Sequence, residues 1–287
     1  MKNILIFGGG GYCGSVLVPQ LLDEDWNVKV YDTFWYGKNH FPTSKNLTLI
    51  EGDVRDIENV DKALKGISHV LHLACISNDA SFELDENLST SVNFNSFEPL
   101  VLAAKKNKIK RFVFVSSSSV YGVSESVNVT EDHPLVPLTF YNKFKGLCEP
   151  KLFKHTDSDF VGVVLRPATV CGYGPRQRLD LSVNILTNHA VNKNKITVFG
   201  GAQLRPNLHI QDYANVCKLL LSVEKEKVSN ETFNCGFQNL TIMEIAETVQ
   251  KVVGDFFPEK GKIKIEVTSS DDLRSYHCCN LCFLIFS

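Results

Sequence analysis

The sequence predicts an α/β fold built on a doubly wound parallel sheet, with a smaller lobe interleaved into its second half. Three observations point there. Short β-branched runs alternate with longer stretches of helical period up to about residue 165, the pattern of repeated strand–helix–strand units. A run of glycines, "FGGGGYCGS" at 7–15, lies between the first such strand and the first such helix. After Arg166 the texture changes to "RPATVCGYGPRQRL", rich in Gly, Pro and Arg, which reads as a loop leaving the sheet.

The elements follow in order. Strands are expected at Asn3–Phe7, Val28–Tyr31, Leu47–Ile50, His69–Leu73, Phe112–Ser116 and Val161–Leu165. Helices are expected at Gly14–Leu22, Ile57–Leu64, Leu84–Asn107 and Tyr141–His155. Pro99 falls inside the third helix and should kink it about one turn upstream. Beyond the loop come a helix near Val183–Asn192, a strand near Ile196–Phe199, and helices over Gln211–Glu224 and Thr241–Val253. The expected division is a dinucleotide-binding domain over 1–168, to which 207–230 returns, and a smaller substrate lobe from 169–206 and 231–287.

Composition bounds the function. With 44% hydrophobic and 22% charged residues in 287, the chain has the make-up of an ordinary globular protein. A net charge of −2 predicts no general attraction to nucleic acid or to an anionic membrane surface. No apolar run reaches the ~18 residues that span a bilayer. The nine cysteines are scattered and odd in number, and the chain enters a strand-like run at Asn3 with no leader before it. Reduced thiols and a cytoplasmic location are the expectation. The one cluster, "HCCNLC" at 277–282, holds a CxxC without a second ligand pair, so no metal site is expected.

Gly8, Gly11 and Gly14 fall at a spacing of three, directly after a strand and at the mouth of a helix. The first allows a tight turn, the second lets backbone approach a pyrophosphate, and the third permits close helix–strand packing. The helix N-terminus offers unpaired N–H groups and partial positive charge to that pyrophosphate, with Tyr12 and Cys13 in the same turn as cofactor-binding candidates. Asp32 ends the second strand, where a carboxylate can accept hydrogen bonds from an adenosine ribose. It would repel a 2′-phosphate, and no arginine follows in "TFWYGK", which favours NAD over NADP.

Two further stretches suit hydride transfer. "YNKFK" places Tyr141 and Lys145 four apart, on one helix face. A free phenol, with a pKa near about 10, is a poor base at neutral pH. A nearby ammonium and a nicotinamide cation together would have to lower it by roughly three units, or about 4 kcal/mol. "VSSSSVYG" follows the fifth strand, where ligands bind at the carboxyl edge of such sheets, and a hydroxyl there can bond the reacting oxygen. Serines in such a turn also serve simply to satisfy backbone groups.

The ordered set "GGGGYCGS", "EGDVRD", "HVLHLAC", "RFVFVSSSSVYG", "YNKFK", "LRPATVCGYGP" and "RPNLHIQDY" resembles the extended short-chain dehydrogenase/reductase family, and within it the NAD-dependent sugar-nucleotide epimerases and dehydratases. The resemblance runs from residue 1 to about His277 and implies the Rossmann form of the doubly wound sheet. It implies that Asp53 and Val54 bracket the adenine, that Leu73 and Ala74 line the cofactor cleft, and that Lys145 also holds the nicotinamide ribose. It makes Ser117, Tyr141 and Lys145 the catalytic set, with Ser116 the alternative serine.

On the substrate side, the resemblance matches Arg205 to an arginine that binds the nucleotide diphosphate, for which a planar guanidinium is suited. Arg176 and Arg178 are candidates to extend that clamp, and Asn184 and Ser118 for further substrate contacts. His209 is expected to be packed or backbone-bonded. Family members that eliminate water from a 4-keto sugar carry an Asp-Glu pair where this chain has Ser118 and Ser119, so that elimination lacks its proton-transfer groups. The implied function is C4 epimerisation of a nucleotide sugar through a 4-keto intermediate, with a nucleotide-diphosphate sugar as partner and NAD as cofactor. Net oxidation or reduction at C4 of a nucleotide-linked hexose or heptose is the alternative, and non-catalytic nucleotide binding on the same fold a third reading. The resemblance also implies a homodimer through the helices at Leu84–Asn107 and Tyr141–His155.

The sequence departs from the family pattern in three places. Phe7 stands where a threonine is usual, and Cys171 where an aromatic is common. Past "DDLRSYH" the chain ends "CCNLCFLIFS" where relatives continue with a polar helix, which reads as a truncated lobe.

Overall fold

In the computed structural model, residues 2–123 and 129–269 are described. The cysteine cluster and apolar tail singled out above lie outside that range. Seven strands form one parallel sheet: β1 (Asn3–Phe7), β2 (Asn27–Asp32), β3 (Leu47–Glu51), β4 (His69–His72), β5 (Arg111–Val115), β6 (Val161–Pro167) and, further along the chain, β10 (Glu231–Cys235). Their order is β3-β2-β1-β4-β5-β6-β10. The chain winds outward from β1 in one direction and then restarts beside it with β4. That reversal leaves a crevice at the carboxyl ends of β1 and β4, where such sheets bind ligands.

Alternation along each strand builds a core on both faces. Ile4 and Ile6 of β1, Val28 and Val30 of β2, and Val113 and Val115 of β5 face one layer. That layer holds α1 (Tyr12–Asp23) and α8 (Ile210–Ser222), through Leu17, Leu21, Cys217 and Leu220. Leu5 and Phe7, Tyr31, Phe112 and Phe114 face the other layer. It comprises α2 (Ile57–Ala63), α5 (Phe97–Lys106) and α6 (Phe140–Phe153), which contribute Val60, Leu100, Ala104, Cys148 and Leu152. Phe7, at the usual threonine position, is wholly buried and packs edge-on against Tyr31 and His72.

The expected long helix at Leu84–Asn107 is instead three pieces preceded by a fourth. A short α3 (Asp79–Glu83) ends at Leu84, and Asp85 caps α4 (Glu86–Thr90) by accepting the Leu88 N–H. A π-turn over Ser91–Asn95 then leads into α5, with the Ser96 N–H bonded to the Ser91 carbonyl. Pro99 has no N–H to offer the Asn95 carbonyl, so the break falls one turn upstream of it. The wider turn carries Asn93, whose amide bonds both the N–H and the carbonyl of Ile76 and so fixes the loop after β4.

The smaller lobe contains β7 (Thr169–Cys171), α7 (Ser182–Lys193), β8 (Lys195–Phe199), β9 (Leu204–His209), β11 (Gln238–Thr241), α9 (Ile242–Phe256) and β12 (Lys264–Thr268). β11, β9 and β7 form a three-stranded sheet, and β12 pairs with β8. A third core of Leu186, Ile196, Val198, Ile245 and Val249 joins α7 and α9 to β8. β10 corrects the expected division: its residues were placed with the substrate lobe, yet it pairs with β6 as the edge of the large sheet. Its run "ETFNC" is too short and too polar at its start to announce itself as a sheet strand.

Candidate active site

The glycine turn caps the crevice. Gly8 has φ +76°, and a Cβ there would lie 2.4 Å from the Ala74 nitrogen and 2.8 Å from the Leu73 carbonyl carbon. Leu73 and Ala74 therefore meet the turn through their backbone. At Gly14 a Cβ would come within 2.1 Å of the Gly9 oxygen, so this glycine lets the helix seat on the turn. Gly11 differs. Its nearest neighbour would be the Gly8 oxygen at 3.4 Å, an ordinary contact, and as N-cap of α1 it supplies no capping side chain. Protein packing does not require glycine there. The bare helix N-terminus is instead a cradle that any side chain would narrow, which fits a pyrophosphate.

Tyr12 and Cys13 stand in that turn, but their side chains point away from it. The Tyr12 hydroxyl donates to the Gly172 carbonyl at 2.7 Å, and burial pushes its pKa up to about 12. It pins the loop after β7 to the start of α1. Burial raises the Cys13 thiol to about 12 as well. Any cofactor contact by either residue runs through its backbone N–H.

Asp32 ends β2 beside the turn, accepting the Gly10 N–H at 2.8 Å and the Phe34 N–H at 2.7 Å. Each carboxylate oxygen retains a lone pair for a ribose hydroxyl. Asp53 is held by Arg55 in a forked pair, and its carbonyl accepts the Tyr31 hydroxyl, while Val54 beside it is buried. Arg55 holds the Asp53 carboxyl below its usual range.

At the other side of the crevice, Thr139 caps α6 by accepting the Asn142 N–H and donates to Asp79 at 2.6 Å. Tyr141 and Lys145 follow in the first turns. Lys145 is 5% exposed, its Nζ donating to the Val115 carbonyl at 2.8 Å and lying 5.1 Å from the centre of the Phe114 ring. This ammonium is thereby fixed at the carboxyl end of β5. His72 lies in the same neighbourhood among Phe7, Phe97 and Phe114, and burial, with Lys145 adding to it, lowers its pKa to about 3. It is neutral at ordinary pH and leaves the cationic role to Lys145.

The serine run forms a single 3-10 turn after β5. Ser117 lies 2.7 Å from the Ser119 hydroxyl, which in turn meets Asn142 Oδ1 at 2.5 Å. Ser116 donates to Glu149 Oε1 at 2.6 Å, facing the interior, so it does not compete with Ser117 for the crevice. Ser118 is 1% exposed, a poor position for the substrate contact expected of it. Tyr121, the other tyrosine near the site, is wholly buried between Arg166, which donates to it, and Asn234, which accepts from it. Burial pushes its pKa up to about 12.

On the substrate side, the Arg205 strand pairs with β11 opposite Leu240, and its half-buried guanidinium donates to the Leu204 carbonyl. Asn184 corrects its expected role. Its amide accepts the Gly172 N–H at 2.9 Å and donates to the Arg178 carbonyl, so it shapes the loop. Arg176 stacks over Tyr36 at 3.6 Å, and both it and Asp32 lie close enough to His40 to act on its charge. Arg178 pairs with Asp180, which Asn78 also binds. His209 is exposed and caps α8 by accepting the Gln211 N–H.

Asn142, His72 and the Glu149–Arg166 pair carry no signal in the sequence patterns used above, and Ser119 entered them only as the place of an absent carboxylate. Asn142 is one position past Tyr141, a step of roughly 100° around the helix, and so off the face that i, i+4 spacing selects.

A family model described as "NAD dependent epimerase/dehydratase family" matches residues 4–236. Among curated proteins, the uncharacterized protein y4nG of Sinorhizobium fredii is 32% identical over 256 residues, covering 88% of this chain and 60% of its own length. The chain thus spans about three fifths of that relative. A UDP-glucose 4-epimerase of Azospirillum brasilense is 26% identical over 282 residues, covering 89% of this chain and 79% of its own. Among solved structures, the UDP-N-acetylglucosamine 4-epimerase of Methanobrevibacter ruminantium M1, in complex with UDP-N-acetylmuramic acid, superposes with a TM-score of 0.85 at 25% identity. That match covers 96% of this chain and 88% of the other. Among the described residues, no helix is long and apolar enough to cross a membrane, and no group of His, Cys, Asp and Glu is arranged to hold a metal ion.

Proposed function

Since this chain belongs to the NAD dependent epimerase/dehydratase family, we propose that it inverts C4 of a nucleotide-diphosphate sugar by oxidising and re-reducing that carbon. The observation that carries the reading is the placement of Lys145. Its Nζ is held on the Val115 carbonyl at the carboxyl edge of the sheet, one helical turn from Tyr141.

NAD⁺, when bound, supplies the acceptor for the C4 hydride and its source on return. The bare α1 N-terminus at Gly11 holds the pyrophosphate, Asp32 the adenosine ribose, and Asp53 and Val54 the adenine. Tyr141, as phenolate, takes the C4 hydroxyl proton as the hydride leaves and gives it back when the ketone is reduced. Lys145 stabilises that phenolate by its charge, and Ser117 bonds the reacting oxygen. Arg205 binds the diphosphate, and Arg178 lies close enough to Tyr141 to feel its charge. Ser118 and Ser119 provide no carboxylate pair, which supports epimerisation over loss of water.

The expected homodimer through α5 and α6 is supported by Leu102 and Leu147, which stay 47% and 42% exposed on those helices. The test of function is to incubate the purified protein with UDP-glucose, UDP-N-acetylglucosamine and UDP-glucuronic acid and read product stereochemistry and NADH. Inversion at C4 with no net NADH is the expected result. Stoichiometric NADH release would replace epimerisation by net oxidation, and no reaction with any of the three would reject the substrate class.

A further inference from the structure

Asn78, in the loop after β4, holds a backbone conformation that belongs to glycine. Its φ is +72° and its ψ 160°, outside the left-handed helical region that asparagine tolerates and in one populated almost only by glycine. A side chain kept there against its backbone cost is a side chain in use, and both ends of this one are engaged. Oδ1 accepts the Ser81 N–H at 2.8 Å and caps α3, a task that aspartate or serine performs equally well. Nδ2 donates at 2.8 Å to Asp180, 102 residues further on, in the loop that leads into α7. Only the second task needs the amide.

The next residue, Asp79, serves the other wall of the crevice. It accepts the Thr139 hydroxyl at 2.6 Å, and Thr139 caps α6 two residues before Tyr141. The pair stands on a fixed base, because Asn93 bonds both the N–H and the carbonyl of Ile76 just upstream. On the small-lobe side, Asp180 grips Arg178 through Nε at 3.0 Å and through Nη2. Two consecutive residues thus join the Arg178–Asp180 loop to the helix of Tyr141.

We propose that Asn78 is a positioning residue that, through Asp180, holds the substrate lobe at a set distance from Tyr141. This rests on the C4 chemistry read above. A 4-keto sugar that turns between the lobe holding its diphosphate and the helix holding Tyr141 meets the same phenol twice. The span between the two walls must therefore be the same for oxidation and for reduction, and the strain at Asn78 is spent on the bond that sets it.

The experiment sets activity against stability. Asn78→Gly relieves the backbone and deletes both bonds, whereas Asn78→Asp keeps the α3 cap and turns a second carboxylate on Asp180. The double variant Asn78→Asp/Asp180→Asn exchanges donor and acceptor across the same gap. Whichever of UDP-glucose, UDP-N-acetylglucosamine and UDP-glucuronic acid the unmodified protein turns over fastest serves as the probe. The expected outcome is kcat lowered about 10-fold in Asn78→Gly and in Asn78→Asp. The melting temperature of Asn78→Gly should stay within about 3 °C of the original, relief of strain offsetting the lost bonds, and the NAD Kd within about twofold. The double variant should regain at least about threefold in kcat over Asn78→Asp. Undiminished kcat in Asn78→Gly, a kcat loss accompanied by a larger fall in melting temperature, or a double variant no better than Asn78→Asp would each overturn the proposal. Tyr141→Phe separates the two levels: if it keeps the original kcat, the reading of the site fails; if it is inactive while Asn78→Gly is unimpaired, the positioning role alone fails.

Discussion

His72 ties stability to pH in a way that can be worked from its surroundings. It is buried among Phe7, Phe97 and Phe114, with Lys145 near enough to oppose a second positive charge. Burial and that neighbour lower its pKa from the ordinary 6.5 to about 3. Between those values the unfolded chain binds a proton that the folded chain refuses, so folding weakens as pH falls. The slope is about 1.4 kcal/mol per pH unit below 6.5, or about 2 kcal/mol lost by pH 5 from this residue alone. Above pH 7 the contribution vanishes. Replacing His72 by Leu removes the titration while keeping the site apolar. Urea unfolding at pH 8, 7, 6 and 5 reads the difference, with His69, also lowered by burial, common to both proteins. The His72→Leu protein should gain about 2 kcal/mol on the unmodified one between pH 8 and 5. Parallel curves would show that His72 titrates normally and that the packing argument around Lys145 is wrong.

Two further perturbations separate packing from binding. Gly11→Ala meets only the Gly8 oxygen at 3.4 Å, so the melting temperature should move by no more than about 2 °C while NAD Kd, by isothermal titration, rises about 10-fold or more. Gly14→Ala puts a Cβ 2.1 Å from the Gly9 oxygen and should cost the fold itself, read as loss of the cooperative thermal transition. Arg166→Met leaves Glu149 buried with, among the described residues, Ser116 as its remaining side-chain partner and should destabilise by about 3 kcal/mol or more, lowering the melting temperature by roughly 6 to 12 °C. Adding Glu149→Leu should recover at least half of that loss in the same calorimetric scan.

Most of the large sheet was legible because its strands are buried on both faces and read as continuous apolar runs, "ILIF" and "RFVFV" among them. The glycine spacing and the Tyr141–Lys145 spacing were legible for a related reason: backbone clearance and helical period are local properties. The smaller lobe was harder. "LRPNLH" and "QNLT" are short strands held by long-range pairing, and their polar and proline residues hide any period of two. The break in the helix before α5 was half legible. Pro99 located it, but not the Asp85 cap that starts a new helix or the π-turn that aims Asn93 at Ile76. Asn184 shows the opposite failure. A polar residue near a diphosphate arginine suggests a ligand contact, whereas loop backbone from Gly172 to Arg178 claims its amide first. Contacts between segments far apart in the chain, such as Arg176 on Tyr36, leave no trace in local spacing.

The most direct trial of the redox site is to mix NAD-loaded protein with the three UDP-sugars and follow NADH absorbance within a single turnover, for the unmodified chain and for Tyr141→Phe. The unmodified protein should show a transient NADH signal, and Tyr141→Phe should lose it at least about 100-fold in rate while holding NAD within about threefold of the original affinity. A signal of equal rate in both proteins would place the proton acceptor elsewhere and contradict the assignment of Tyr141 and Lys145.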